Sequence, residues 1–167
     1  MASLNRRSVL LGGTALAGLV ALGASVIAGE GSPVPGDFEV TRTPEEWLAL
    51  LGPDAYHVMR EQGTEYPGTS ELLGEHREGV FICKGCDLPL FDSSTKYDSG
   101  TGWPSFYQPL DNAVGELQDV SLGMVRTEVH CRRCGGHLGH VFNDGPQPTG
   151  LRYCMDGIAL KFVPRAA

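Results

Sequence analysis

Two Cys-x-x-Cys pairs constrain this sequence more than any other feature. Cys83 and Cys86 form the first pair, Cys131 and Cys134 form the second, and 44 residues separate the two pairs. Two such turns can present four thiolates to one tetrahedral ion, and soft sulfur ligands favour zinc among divalent ions. The pattern therefore predicts one structural zinc ion per chain, which would join two segments that are far apart in the sequence.

Each pair is expected to bend back through a turn, with the help of Gly85 in the first pair and of Gly135 and Gly136 after the second. Two alternatives to a metal stay open at this point. Paired cysteines form disulfides in exported proteins, and a Cys-x-x-Cys motif can be redox-active in a thioredoxin-like protein. Two matched pairs without a visible βαβ unit favour the metal.

The chain of 167 residues divides into three parts. Residues 1–28 combine Arg6 and Arg7 with an uncharged apolar run and small residues near its end, which is typical of a twin-arginine signal peptide. The alternative is an uncleaved membrane anchor. Residues 29–42 contain Pro, Gly and charged residues and are interpreted as a flexible linker. Residues 43–167 are long enough for one domain. The expected location is the periplasm or another extracytoplasmic compartment.

The net charge of the chain limits the classes of partner that it can bind. The formal net charge is −7, and it becomes −9 when Arg6 and Arg7 are removed with the signal. An acidic protein repels phosphate backbones, which argues against a nucleic-acid partner. We expect a monomer that does not bind the membrane once the signal is cleaved.

The order of predicted elements indicates a β-rich α+β fold with short helices at the start. Thr43, Pro44 and Glu46 form a helix start with a capping box. Gly52-Pro53 should end this helix, and a second helix should run to Gly63. Antiparallel strands are then predicted over residues 79–83, 124–131 and 157–163, of which the second alternates as a half-buried strand.

In that second strand, Val125, Thr127 and Val129 would face the core. Arg126, Glu128 and His130 would then face solvent.

The fifth cysteine, Cys154 in "LRYCMDG", has no partner in the two pairs. In an extended segment Arg152 and Cys154 share a face, and the guanidinium should lower the pKa of the thiol. The alternative interpretation of Cys154 is a small buried apolar residue.

Three further residues could serve such a thiol. His137 and His140 could reach one cleft if Gly139 allows a bend, and a histidine near a cysteine can act as general acid or base. Trp103 could form the wall of a pocket for a methyl or thioether group. As alternatives, both histidines could be structural and the tryptophan could fill the core.

The motifs "CKGC", "SGTGWPSF", "RTEVHCRRCGGHLGHVFNDGP" and "LRYC", in this order, closely resemble the methionine-R-sulfoxide reductases, the type B peptide-methionine sulfoxide reductases. The resemblance covers about residues 43–163. It implies two antiparallel sheets with short N-terminal helices and a structural zinc. It also implies reduction of the R epimer of oxidised methionine in proteins or peptides, through a sulfenic acid that an external thioredoxin-like thiol reduces.

The resemblance assigns roles to matching positions. Cys154 matches the nucleophile, His137 and His140 match the two active-site histidines, Trp103 matches the aromatic residue that contacts the substrate methyl group, and Arg152 matches the arginine of Arg-Tyr-Cys. Two classes of protein remain as alternatives: a zinc-ribbon interaction module without chemistry, and a thiol peroxidase.

The sequence departs from the family pattern at two places. Asp156 and Gly157 stand where the family usually has Asn and Ser, and Thr101 stands where many members have a recycling cysteine. Asp156 could raise the pKa of the thiol, pair with Arg152, or donate a proton to the sulfoxide oxygen; we expect the ion pair with Arg152.

Overall fold

A computed structural model describes residues 36–166 of the chain. This part contains two helices followed by nine strands. The helices are α1 (Pro44–Leu51) and α2 (Pro53–Glu61). The strands are β1 (Gly79–Cys83), β2 (Pro89–Asp92), β3 (Lys96–Tyr97), β4 (Ser105–Phe106), β5 (Val114–Asp119), β6 (Arg126–Cys131), β7 (His137–Phe142), β8 (Arg152–Met155) and β9 (Leu160–Pro164).

The strands form two antiparallel sheets. The smaller sheet has the order β2-β1-β9, and the larger one has the order β3-β4-β8-β7-β6-β5. Neighbouring strands in both sheets run antiparallel. The predicted β-rich fold with two antiparallel sheets and short N-terminal helices is therefore confirmed.

The start of α1 agrees with its prediction. The Glu46 backbone N–H donates to Thr43 Oγ1 at 3.3 Å, and the Thr43 N–H donates to Glu46 Oε2 at 2.9 Å, so the capping box is complete. Helix α2 ends at Glu61, earlier than predicted, because Gln62 adopts a left-handed conformation with φ 56°.

Aromatic rings join the two sheets. The ring of Phe81 on β1 lies 4.9 Å from that of Phe106 on β4, and Phe91 on β2 stacks on Phe106 at 4.3 Å. All three side chains are fully buried. Each aromatic pair adds about 0.5–1.5 kcal/mol beyond the burial of its surface. This core fixes β4 and, through their pairing, the neighbouring strand β8.

The predicted alternation of β6 is only half correct. Val129 is buried as expected, but Glu128, expected to face solvent, is 2% exposed, and Val125, expected to face the core, is 74% exposed. Glu128 is buried because it receives hydrogen bonds from Gln62 and His137 on other elements. Val125 lies before the strand begins.

A bulge in β7 produces the expected bend at Gly139. Val129 pairs with Gly139 and His130 pairs with His137, so that Leu138 is an extra residue in β7. Gly139 has φ 142°, and a Cβ at this position would lie 2.2 Å from the carbonyl oxygen of Cys154. A glycine is therefore required at this position of β7, because the Cβ of any other residue would collide with the backbone of β8.

The described part of the predicted linker, residues 36–42, contacts the domain. The Val40 N–H donates to the carbonyl of Arg133 at 3.1 Å. The ring of Phe38 lies where a Cβ on Gly135 would stand. The predicted signal peptide lies outside the described residues. Between residues 36 and 166, neither helix has the length and apolar character needed to cross a membrane.

We expect Gly139→Ala to destabilise the protein by about 2 kcal/mol or more, because the new methyl group collides with backbone atoms of β8. Gly74→Ala is the matched control, since a Cβ at Gly74 meets nothing within 4 Å. Urea unfolding of both variants measures the difference. Equal midpoints for the two variants would contradict the role of Gly139.

Candidate active site and metal centre

Two turns of the same geometry hold the four paired cysteines. In the first, the N–H of Asp87 donates to the carbonyl of Cys83 at 2.9 Å, and in the second, the N–H of Gly135 donates to that of Cys131 at 2.8 Å. Asp87 has φ 59° and Gly135 has φ 65°. The expectation that Gly85 shapes the first turn is wrong, since Asp87 supplies its left-handed residue.

The four cysteine side chains converge on one point between the sheets. Their Sγ atoms all lie within 4.8 Å of one another, with 3.7 Å between Cys83 and Cys134 and 3.5 Å between Cys86 and Cys131. Four sulfurs around one zinc ion stand about 3.8 Å apart, given a Zn–S bond of about 2.3 Å. A disulfide needs about 2.05 Å, and all four cysteines are free thiols. The residues fit a closed tetrahedral metal site.

The helices cover the metal site. A Cβ on Gly85 would lie 3.2 Å from Trp47 Cζ3, and one on Gly136 would lie 2.9 Å from Met59 Cε. Gly85 is thus explained by close packing under α1, which differs from its predicted role in the turn. Arg60 of α2 donates from Nη1 to the carbonyl of Cys134 at 3.0 Å.

Cys154 lies in the middle of the larger sheet, half-buried on β8. It pairs with Ser105 of β4 on one side and with His140 of β7 on the other. Its Sγ is 3.7 Å from the hydroxyl of Thr101. Ser99 connects this hydroxyl to that of Ser105, at 2.8 and 2.7 Å. The sulfur therefore faces a cluster of hydroxyl groups that can donate to a thiolate.

The pKa of the Cys154 thiol is raised above its ordinary value by burial, although the Thr101 hydroxyl and the Arg152 charge oppose this shift. The charge of Arg152 acts on the pKa in the expected direction, but burial outweighs it. Arg152 also donates to Asp144 from Nε at 2.8 Å and from Nη2 at 2.9 Å. Its guanidinium lies 4.3 Å from the ring centre of Phe142.

His140 is tied to a charged pair at the start of β6. Its Nε2 lies 2.8 Å from Asp119 Oδ2, which also accepts from Arg126 Nη2 at 2.6 Å. Burial lowers the pKa of His140, although the hydrogen bond to Asp119 opposes the shift. Asp119 and Arg126 were not predicted as site residues.

His137 lies in a buried row of polar groups. Its Nδ1 is 2.7 Å from Glu128 Oε1, and Gln62 Nε2 donates to the other Glu128 oxygen at 2.9 Å. Its Nε2 is buried without a hydrogen-bond partner among the described residues, 3.9 Å from Asp156 Oδ2. The rings of His137 and His140 are 5.4 Å apart, so the bulge brings both histidines to one place. Sequence reasoning missed Glu128 because strand alternation placed it outside.

Asp156 points into the interior, and its expected ion pair with Arg152 is wrong. Strand β8 ends at Met155, so the alternation that would have put Asp156 beside Arg152 stops there. Asp156 is 3% exposed and accepts the Glu65 N–H at 2.9 Å. Burial raises the pKa of its carboxyl to about 6, although the hydrogen bond from Glu65 and the charge of His137 oppose the shift.

Glu65 joins Asp156 to Trp103. While its N–H bonds to Asp156, its carbonyl accepts from Trp103 Nε1 at 3.1 Å. Its carboxylate accepts from the N–H groups of Gly157 and, at 3.1 Å, Ile158. A single glutamate in a loop gives no sequence signal, so Glu65 was missed. Trp103 is only partly buried, and its ring is held by this contact.

Gly157 leaves room for a neighbouring side chain. A Cβ at Gly157 would lie 1.8 Å from the hydroxyl oxygen of Ser70, which accepts from the N–H of Leu72 at 3.2 Å. The serine that the family pattern has at this position does not fit beside Ser70.

The chain is similar to one family of known proteins over most of its length. A family model of the SelR domain matches residues 51–164. The peptide methionine sulfoxide reductase MsrB of Pseudomonas putida (strain W619) is 56% identical over 128 residues, which is 76% of this chain and 96% of the relative. The protein of the same name from Pseudomonas entomophila (strain L48) is 54% identical over 128 residues, covering 76% and 98% of the two chains. The one from Leptospira interrogans is 51% identical over 127 residues, covering 75% and 97%.

We expect Cys131→Ser to lose the bound metal and to lower the free energy of unfolding by several kcal/mol, about 3 or more, because three thiolates cannot close the site. Cys154→Ser is the matched control, since the same exchange outside the cluster should leave both quantities unchanged. Elemental analysis and urea unfolding provide the two measurements. A wild type that contains no metal and holds its four cysteines in disulfides would overturn the metal site.

We expect Asp156→Asn to stabilise the folded protein at pH 8 by up to about 3 kcal/mol. A carboxyl whose pKa is 3.8 when unfolded and about 6 when folded binds its proton more tightly in the folded state. The aspartate therefore lowers the free energy of unfolding as the pH rises from about 4 to 6. At about 1.36 kcal/mol per unit of pKa difference, the largest loss is about 3 kcal/mol. The asparagine oxygen can still accept the Glu65 N–H.

Thermal unfolding between pH 4 and pH 8 measures this effect, which should vanish near pH 4. Asp144→Asn is the control of opposite sign, because the hydrogen bonds from Arg152 lower the pKa of Asp144. If the stability difference between Asp156→Asn and wild type does not change with pH, the Asp156 carboxyl does not titrate in this range.

Proposed function

Because the chain belongs to the SelR-domain family of peptide methionine sulfoxide reductases, we propose that Cys154 is the nucleophile of this reaction. The enzyme reduces the R epimer of methionine sulfoxide in peptides and uses a thiol reductant. The proposal for Cys154 rests on one observation: its half-buried thiol lies between the hydroxyl of Thr101 and the strand that carries His140. None of the three relatives named above is a zinc-ribbon module or a thiol peroxidase.

The first step transfers oxygen between two sulfur atoms. The Cys154 thiolate attacks the electrophilic sulfur of the sulfoxide, the oxygen becomes bound to Cys154, and methionine leaves. Methionine gains two electrons and Cys154 loses two, so the product on the enzyme is a sulfenic acid. The hydroxyl groups near Cys154 support the ionised sulfur before the attack.

The two histidines have different proposed roles. His140 donates Nε2–H to Asp119, so its Nδ1 is free to accept the thiol proton as a general base. His137 donates Nδ1–H to Glu128, which leaves Nε2 directed towards Asp156. Asp156, whose Oδ2 lies 3.9 Å from this nitrogen, supplies the proton that the sulfoxide oxygen must gain. The carboxyl pKa of about 6 supports this role near neutral pH.

Trp103 and Arg152 have supporting roles in the proposal. The hydrogen bond from Trp103 to the Glu65 carbonyl fixes the ring so that its face can contact the substrate methyl group and select the R epimer. Arg152 favours the thiolate through its charge while Asp144 holds the guanidinium.

The proposed metal is one zinc ion, bound by Cys83, Cys86, Cys131 and Cys134. Four thiolates leave no coordination position for substrate, so the ion supplies structure and no chemistry to the reaction. This set of soft ligands is the reason for proposing zinc.

Recycling requires a thiol from another molecule. The hydroxyl of Thr101 is 3.7 Å from Cys154, where many family members have a recycling cysteine, and the remaining four cysteines form the metal site. An external thiol attacks the sulfenic acid, water leaves, and a second thiol resolves the mixed disulfide. The proposed donor is thioredoxin-like.

The proposed location and assembly depend on the sequence alone. Residues 1–28 would direct a folded monomer out of the cytoplasm by the twin-arginine route, and residues 29–42 would link the signal to the domain. An uncleaved anchor is the alternative.

We expect wild type to reduce a peptide containing the R epimer, and Cys154→Ser to lose turnover by at least about a thousandfold. His137→Ala and His140→Ala should each lower kcat, unequally. One turnover without reductant should leave Cys154 reactive towards a sulfenic-acid reagent, detected by mass spectrometry, with the metal still bound.

Residual turnover by Cys154→Ser, or equal rates on the S epimer, would refute the proposed nucleophile. A disulfide from Cys154 to a metal ligand, accompanied by metal release, would refute the external recycling.

A further inference from the structure

The connection between β5 and β6 presents apolar side chains to solvent. We call residues 117–125 the hairpin tip. Leu122 is 83% exposed, Val125 74% and Val120 67%, and Leu117 and Met124 are also exposed. These five form the majority of the large exposed apolar side chains of residues 36–166. An exposed apolar cluster of this kind is typical of an interaction site.

The backbone of the hairpin tip is strained at one residue, Leu122. Leu122 has φ 54° and ψ 23°, a left-handed conformation that is unfavourable for a leucine. The turn does not bury the side chain in return for this strain. A glycine or asparagine would satisfy the turn better, so the fold of the described residues does not explain a leucine there.

The hairpin tip adjoins the candidate active site. Asp119 and Arg126 pair at its base, and Asp119 also bonds to His140. His140 in turn pairs with Cys154 across β7 and β8. Through His140 and Glu128, two strand spacings and three residues along the strand direction separate Cys154 from Val125, which corresponds to about 14 Å. An extended peptide covers that distance in about four or five residues.

We propose that the hairpin tip binds apolar residues of the polypeptide substrate, four or five positions from the oxidised methionine. The inference rests on the proposed role of Cys154, which fixes the position of the sulfoxide. The charges at the base neutralise each other, so the contact that the tip offers is apolar. Methionine is common in protein interiors, where the apolar residues of a core-facing helix recur three and four positions apart. Such segments become accessible when an oxidised protein unfolds.

The test compares substrates of different length with the full-length protein and dithiothreitol as the reductant. One substrate is an 11-residue peptide with R-methionine sulfoxide at its centre and leucines four and five positions away on both sides. A second peptide has serines at those positions, and the third substrate is N-acetyl-methionine-R-sulfoxide amide. The variant is Leu122→Ser with Val125→Ser. The control is Leu50→Ser with Val163→Ser, which alters side chains that are 50% and 47% exposed elsewhere.

We expect the hairpin-tip variant to lower kcat/KM for the leucine peptide about tenfold, through KM, as the loss of two partly buried aliphatic contacts implies. Its rates on the serine peptide and on the amide should equal those of wild type. The control variant should match wild type on all three substrates.

Three results would overturn the inference. Equal rates of variant and wild type on the leucine peptide would show that the tip does not bind substrate. A loss only when a thioredoxin-type protein replaces dithiothreitol would assign the tip to the reductant. A change in mass by light scattering would assign it to a second copy of the chain. Absence of activity in wild type on every substrate would instead refute the proposed function.

Discussion

The convergence of four cysteine sulfurs is the constraint on which the rest of this structure depends. Two turns with matching hydrogen bonds end β1 in the small sheet and β6 in the large sheet, and both aim their thiols at one point. The second turn leads directly into β7, where His137 follows Cys134 by three residues. A metal at this point therefore sets the start of the strand that carries both histidines. It can affect the reaction through position alone, without contact with substrate.

Around Cys154, burial and hydrogen bonding shift the pKa values of the titratable groups in opposite directions. Burial raises the pKa values of the Cys154 thiol and the Asp156 carboxyl and lowers that of the His140 imidazole, so each of these three groups is shifted towards its neutral form. The hydroxyl of Thr101, the N–H of Glu65 and the carboxylate of Asp119 work in the opposite direction. These groups are therefore close to the balance between their neutral and charged forms. Such groups suit a reaction in which one group releases a proton and another accepts one.

The sequence predicted those parts of the molecule that depend on residues close together in the chain or on paired motifs. The capping box at Thr43, the two cysteine pairs and the bend at Gly139 each depend on a few residues whose spacing has one good geometric solution. The failures have a common cause. Asp156 was placed by strand alternation beyond the residue where β8 ends. Glu128 was placed outside because its hydrogen-bond partners come from Gln62, just after α2, and from His137 on β7. Glu65 was missed because its four hydrogen bonds are made with segments far along the chain. Such long-range hydrogen bonds produce no periodic pattern in the sequence.

The fit between Gly157 and Ser70 has a consequence for how this site can evolve. The hydroxyl of Ser70 fills the space that a side chain at position 157 would need, so position 157 cannot acquire the family's usual serine while Ser70 keeps this place. Positions 70 and 157 are therefore epistatic: the exchange of Gly157 for serine must follow a change at position 70, which releases the loop that Ser70 caps. The barrier applies to position 157 alone, because an asparagine at position 156 keeps the contact with the Glu65 N–H and needs no change at Ser70.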